Sequence, residues 1–193
     1  MERGYLYLLI GALLTASSLL PFNLNIPFFS LEFFGYMLIL WGIREMRTSA
    51  TELKNSYYFA VATLASRFML PLVLAVTRPI ADVNFSGIFY ILNIFFAVGI
   101  FFWLFKAEYM WSPNTAKRID WLMYSIVSLV YLVVCVIVVF PVFRSQILSQ
   151  NVFRQIDEVY RFFNFFYYAV LIYILAKLYL DSRRNMPGFK RWG

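Results

Sequence analysis

Long apolar runs, broken by short stretches that collect the charged and turn-forming residues, set the pattern of this chain. The runs cover residues 5–20, 27–43, 57–76, 88–105, 121–143 and 162–180. A helix needs about 20 mostly apolar residues to cross the hydrocarbon core of a bilayer, within a range of about 17–25. The third to sixth runs meet that length. The first is short but extends to residue 22 by taking in Pro21 and Phe22. The second is interrupted near its start by Glu32 and reads either as a span or as a re-entrant segment. The pattern predicts an all-α, polytopic transmembrane helix bundle of about six spans in a single domain, ending in a basic tail over residues 181–193.

The stretch 144–161 carries Leu148, Val152, Ile156 and Val159 at helical spacing, with charged residues between them. Arg154 and Glu158, like Asp157 and Arg161, are i,i+4 pairs on a helix surface. This predicts a short amphipathic helix before the last span. It either lies on the membrane interface or extends the last span outward, in which case 151–180 forms a helix of about 45 Å. It serves as a connector or as a lid over the bundle. Ser49-Ala50-Thr51-Glu52 fits a capping box opening the third helix, and Ser112-Pro113 fits the start of the fifth, flanked by Trp111 and Trp121 as interfacial anchors.

Composition sharpens the class. Hydrophobic residues make up 62% of the 193, aromatics 21% and charged residues 14%, against about 45–50% apolar and about 25% charged in soluble domains. A water-soluble globule cannot hide this much apolar surface, and a disordered chain needs the opposite bias. The net charge of +7 does not indicate nucleic acid, because the basic residues fall between apolar runs rather than on one soluble face. One set of loops and termini holds Arg3, then Arg44, Arg47 and Lys54, then Lys106, Lys117 and Arg118, then Arg183, Arg184, Lys190 and Arg191. The other set holds Arg78, Arg144, Arg154 and Arg161. Eleven against four puts both termini in the cytoplasm of a cell-membrane protein. Without a crossing by the second segment the split becomes ten against five, and the C-terminus stays inside. The leader Met1-Glu2-Arg3-Gly4 is barely basic, and Thr15-Ala16-Ser17-Ser18 falls before the first run ends, so that run reads as a retained span rather than a cleaved signal.

The chain has no histidine, which removes imidazole-based acid–base catalysis, triads and histidine metal sites. Its one cysteine, Cys135, lies inside an apolar run, so neither a disulfide framework nor a thiolate metal centre is expected. Nucleotide-, dinucleotide- and zinc-protease motifs are absent from the sequence, and no cofactor is expected. The acids Asp82, Asp157 and Glu158 fall in loops without a recognisable catalytic pattern, and the chain reads as non-catalytic.

Ionisable side chains inside spans are costly and are functional or paired. Arg67 sits near the middle of the third span, Glu32 one turn into the second, Asn93 within the fourth and Asn164 at the start of the sixth. Under the topology above Glu32, Asn93 and Asn164 belong to the outer half, Arg67 can snorkel toward it along its aliphatic stem, and Tyr36, Tyr90 and Tyr167 could line the same region. Arg67 and Glu32 are expected to pair at the base of an outward-opening polar pocket. The pair either fixes helix register or lets Arg67 meet an anionic headgroup or carboxylate ligand. Lys177, near a span end, needs only to snorkel. Gly11, Ala12, Thr15 and Ala16 form a small-residue face on the first helix. That face serves either contact within the bundle or contact with a membrane protein partner or a second copy.

The segment from Ile26-Pro27-Phe28-Phe29 through Gly35-Tyr36-Met37-Leu38-Ile39-Leu40-Trp41-Gly42-Ile43-Arg44 resembles a pattern in small uncharacterised bacterial multi-pass membrane proteins. The architecture is also similar to that of the substrate-binding subunits of energy-coupling-factor vitamin transporters. Those are six-helix proteins of about this length, in which small residues such as Ala12-x-x-x-Ala16 dock a partner. The link between the first two helices is shorter and more apolar here than a capture loop of that family. Two functional expectations follow. The first is a membrane-embedded partner subunit or binder of a lipid-like ligand. The second, which the resemblance implies, is a transport component holding a small substrate around Arg67.

Overall fold

The computed structural model describes residues 2–16, 31–47, 53–77, 84–111, 113–144 and 150–184, with side chains for 2–16, 31–46, 53–69, 91–111, 113–138, 155 and 158–183. These residues form six α-helices and no strand: α1 (Glu2–Ala16), α2 (Leu31–Arg47), α3 (Lys54–Thr77), α4 (Asn84–Trp111), α5 (Thr115–Arg144) and α6 (Gln150–Arg184). Segments within three of them are long and apolar enough to cross a membrane: Ile91–Trp111, Thr115–Val138 and Glu158–Arg183. α1 and α2, at 15 and 17 residues, are shorter than the usual span of about 20.

Each helix packs against its neighbours in sequence, and α1 closes against α6. The six form a closed ring of alternating direction, and among the described residues no helix occupies the middle. On α5, Tyr124, Ser128, Tyr131 and Cys135 point inward at helical spacing, while Ile126 and Leu129 are 64% and 65% exposed on the opposite face. Placing hydroxyls inside and branched aliphatics outside reverses the arrangement of a water-soluble helix. It suits a surface that meets lipid.

α1 and α2 approach backbone to backbone. Gly4 faces Gly42 and Gly11 faces Gly35 with no side chain between the backbones. Gly11, Ala12 and Thr15 are therefore buried inside the bundle and Ala16 is half-buried. The second helix of the same chain lies against that face, the within-bundle contact of the alternatives above. On α3, Ser56 Oγ donates to the Ile100 carbonyl of α4 at 2.8 Å, and the ring of Phe59 sits over Gly99.

At the helix ends one alternative is selected and one expectation changes. The segment before the last span takes the second of its two readings, an extension of the last helix rather than a separate one. It runs unbroken into α6, a helix of 35 residues and about 52 Å, because no glycine or proline falls between Gln150 and Arg184 to stop it. The α5 cap is Asn114 rather than Ser112: the Lys117 amide donates to Asn114 Oδ1 at 2.7 Å. The capping box at 49–52, the basic tail beyond residue 184, and Pro21, Phe22, Arg78 and Asp82 lie outside the described residues.

Candidate functional site

Helix spacing alone brings one set of polar side chains to the inner surface at the end of the ring where α2, α4 and α6 begin. Glu32 and Tyr36 are one turn apart on α2, Asn93 and Ala97 one turn apart on α4, and Tyr160, Asn164, Tyr167, Tyr168 and Leu171 repeat down one face of α6. With Thr15 of α1, Arg67 of α3 and Tyr131 of α5 they surround a cavity of about 250 Å³, to which all six helices contribute.

Arg67 Nη1 donates to Glu32 Oε2 at 2.5 Å. The Arg67 and Glu32 side chains keep 27% and 19% of their accessible surface, so the pair is not sealed in the interior. The guanidinium also lies 5.2 Å from the centre of the Tyr36 ring, a cation–π distance. Two polar atoms in the cavity lining are buried without a hydrogen-bond partner, Arg67 Nε and Asn93 Oδ1. Asn93 as a whole is only 4% exposed.

Other polar groups in the ring pair with one another, while Ser128 Oγ and Trp121 Nε1, outside the cavity lining, are also buried without a partner. Tyr131 donates to Asn164 Oδ1 at 3.0 Å, and its ring stacks on Tyr167 at 4.5 Å and 13°. The Tyr167 and Tyr124 hydroxyls are 2.6 Å apart, and Tyr124 donates to the Val98 carbonyl at 3.2 Å. Towards the other end, Leu8, Leu104, Phe105, Tyr124 and Leu175 are buried in the ring interior.

A second polar layer lies at that far end. Glu108, 4% exposed, accepts from the Tyr5 hydroxyl of α1 and from Lys117 Nζ of α5 at 2.8 Å. Asp120 of α5 accepts from Lys177 Nζ of α6 at 2.6 Å. Lys177 thus has a buried carboxylate partner where snorkelling alone was expected.

Of the residues singled out from sequence, Arg67, Glu32, Asn93, Asn164, Tyr36 and Tyr167 line one cavity, and Thr15 joins them from the small-residue face. The Tyr90 side chain lies outside the described residues, as do Asp82 and the side chain of Asp157. Tyr131, Tyr160 and Tyr168 were not anticipated. Tyr160 and Tyr168 stand one turn either side of Asn164, which is the signal that would have found them. Among the described residues no group of three or more acidic or cysteine side chains could hold a metal ion. The chain matches no family model, no curated protein and no solved structure.

Proposed function

We propose that the chain is a six-span protein of the cell membrane, with both termini in the cytoplasm, whose helix ring binds a small polar ligand in its outer half. The observation that carries this reading is the pair of buried, unpartnered polar atoms, Arg67 Nε and Asn93 Oδ1, on one cavity built from all six helices. Burying such atoms without a partner costs about 1–3 kcal/mol each, a penalty that a ligand with complementary groups removes. The bias of basic residues, eleven against four, supports an outer position for the cavity.

A volume of about 250 Å³ lies below the roughly 300–1,000 Å³ of sites for drug-sized molecules, which favours a compact ligand over a two-chain lipid. The packed far end favours a second, compatible reading: as part of a transporter, the chain is the binding subunit rather than the conduit. That is the role which the likeness to energy-coupling-factor subunits implies.

The test is to purify the full chain from its native membrane in mild detergent, denature it, and analyse released small molecules by mass spectrometry. A compound released stoichiometrically by the parent and lost from Asn93→Leu supports the reading. Equal release from both proteins, or none from either, counts against it.

A further inference from the structure

We infer that the ligand is a net-neutral zwitterion of the α-amino acid class, bound through its carboxylate to Arg67 and through its ammonium to Glu32 and Asn93. This rests on the reading of the cavity as a binding site and adds the chemistry of what enters it.

Charge balance is the first argument. Among the described lining residues the charged groups are Arg67 and Glu32, and they neutralise each other. A simple anion would bring an uncompensated negative charge into a low-dielectric ring, or would have to expel Glu32 from its partner. A simple cation meets the converse problem. Charges in such surroundings are tolerated when paired and expensive when left alone. A zwitterion adds one charge of each sign beside the partner it needs, and the site stays neutral.

Hydrogen-bond complementarity is the second. The unmatched atoms are one donor, Arg67 Nε–H, and one acceptor, Asn93 Oδ1. A ligand that satisfies both must itself carry an acceptor and an N–H or O–H donor. Arg67 spends Nη1 on Glu32, and of the five N–H bonds of its guanidinium the unpartnered Nε–H is the one left for a carboxylate oxygen. Glu32 accepts through Oε2, and an ionised carboxylate has room for further donors on its other oxygen. An ammonium with three protons suits an acidic acceptor and an amide acceptor together. The walls left for a side chain are aromatic: Tyr36, Phe101, Tyr131, Tyr167 and Tyr168.

The test uses the detergent-purified full chain and reads the shift of its thermal unfolding midpoint. The probes are the standard L-amino acids, each alongside its deaminated acid and its decarboxylated amine. At least one amino acid is expected to raise the midpoint, with both truncated counterparts about tenfold weaker or worse, since a site built around a hydrogen-bonding group rejects analogues that lack it. Asn93→Leu and Arg67→Lys should each weaken that response. Arg67→Lys keeps the charge while removing the fork, and the unliganded midpoint shows whether either variant is folded. Equal or tighter binding of the deaminated acid overturns the assignment, as does the absence of response to every amino acid. If no amino acid acts but the parent still releases a compound that Asn93→Leu does not, the zwitterion assignment falls and the binding site stands. If both experiments are blank, both readings fall.

Discussion

Gly11 of α1 and Gly35 of α2 stand backbone to backbone. A methyl on Gly11 would reach within 2.6 Å of the Gly35 carbonyl oxygen, and one on Gly35 within 2.7 Å of the Gly11 carbonyl oxygen. Gly4 and Gly42 repeat the contact, with a Cβ on Gly42 falling 2.7 Å from the Gly4 carbonyl oxygen. The glycines are seven residues apart on each helix, two turns, so both pairs meet along one antiparallel seam. Backbone cannot yield as a side chain can. Gly35→Ala and Gly42→Ala should each destabilise the protein by about 1–3 kcal/mol through overpacking, read as a lower unfolding midpoint in detergent. Because Gly35 adjoins Tyr36, Gly35→Ala should also weaken ligand retention, whereas Gly42→Ala, at the far end, should affect it less.

The Arg67–Glu32 pair separates a stabilising role from a binding role. Glu32→Gln and Arg67→Leu each leave one charge without its partner, and partial access to water keeps the loss near 1–3 kcal/mol, below the roughly 3–5 kcal/mol of a fully buried pair. The combined Glu32→Gln, Arg67→Leu variant should recover much of that stability and none of the ligand retention. Unfolding midpoints and released-compound analysis on the three proteins check this. A double variant that still retains the compound would show that the pair serves only to fix the helices.

At the far end the buried Glu108 relies on Lys117 and Tyr5. Tyr5→Phe removes one hydrogen bond and should cost about 1–3 kcal/mol, because the bond is to a charged group. Lys117→Met should cost more, since it leaves the carboxylate without a counter-charge. Adding Glu108→Gln to Lys117→Met should restore part of the loss. Ligand retention should be unchanged in a folded Tyr5→Phe protein, because this cluster is separated from the cavity by packed apolar side chains.

How much of this was legible in the sequence follows from what each signal measures. The lengths of the apolar runs located all six helices. They missed the helices' true ends. Glu108 and Asp120 lie just outside the apolar runs that ended at Phe105 and began at Trp121, yet α4 and α5 continue through them, so the two buried carboxylates and their lysine partners stayed invisible. Arg67 and Glu32 stood out because charge is rare inside such runs and must be matched, and depth alone suggested their partnership. Tyr131, Tyr160 and Tyr168 did not stand out. Tyrosine is common throughout the chain, and only ring closure decides which hydroxyls face the cavity. The small face of α1 was visible, but its occupant was not. The matching interval in Gly35 and Gly42 carries that information, once the two helices are read as an antiparallel pair.

The central claim is that the Arg67–Glu32 cavity is a chamber reached from outside the cell. The most direct measurement places a thiol in its wall at Ala97, a small lining residue. The protein would carry Ala97→Cys in a Cys135→Ala background, so that the introduced thiol is the only one. Intact cells are treated with a small, membrane-impermeant methanethiosulfonate reagent, and modification is quantified by mass spectrometry. The account predicts modification from the outside and protection by the native ligand once it is identified. A thiol that reacts only in inside-out vesicles, or only after denaturation, would contradict it.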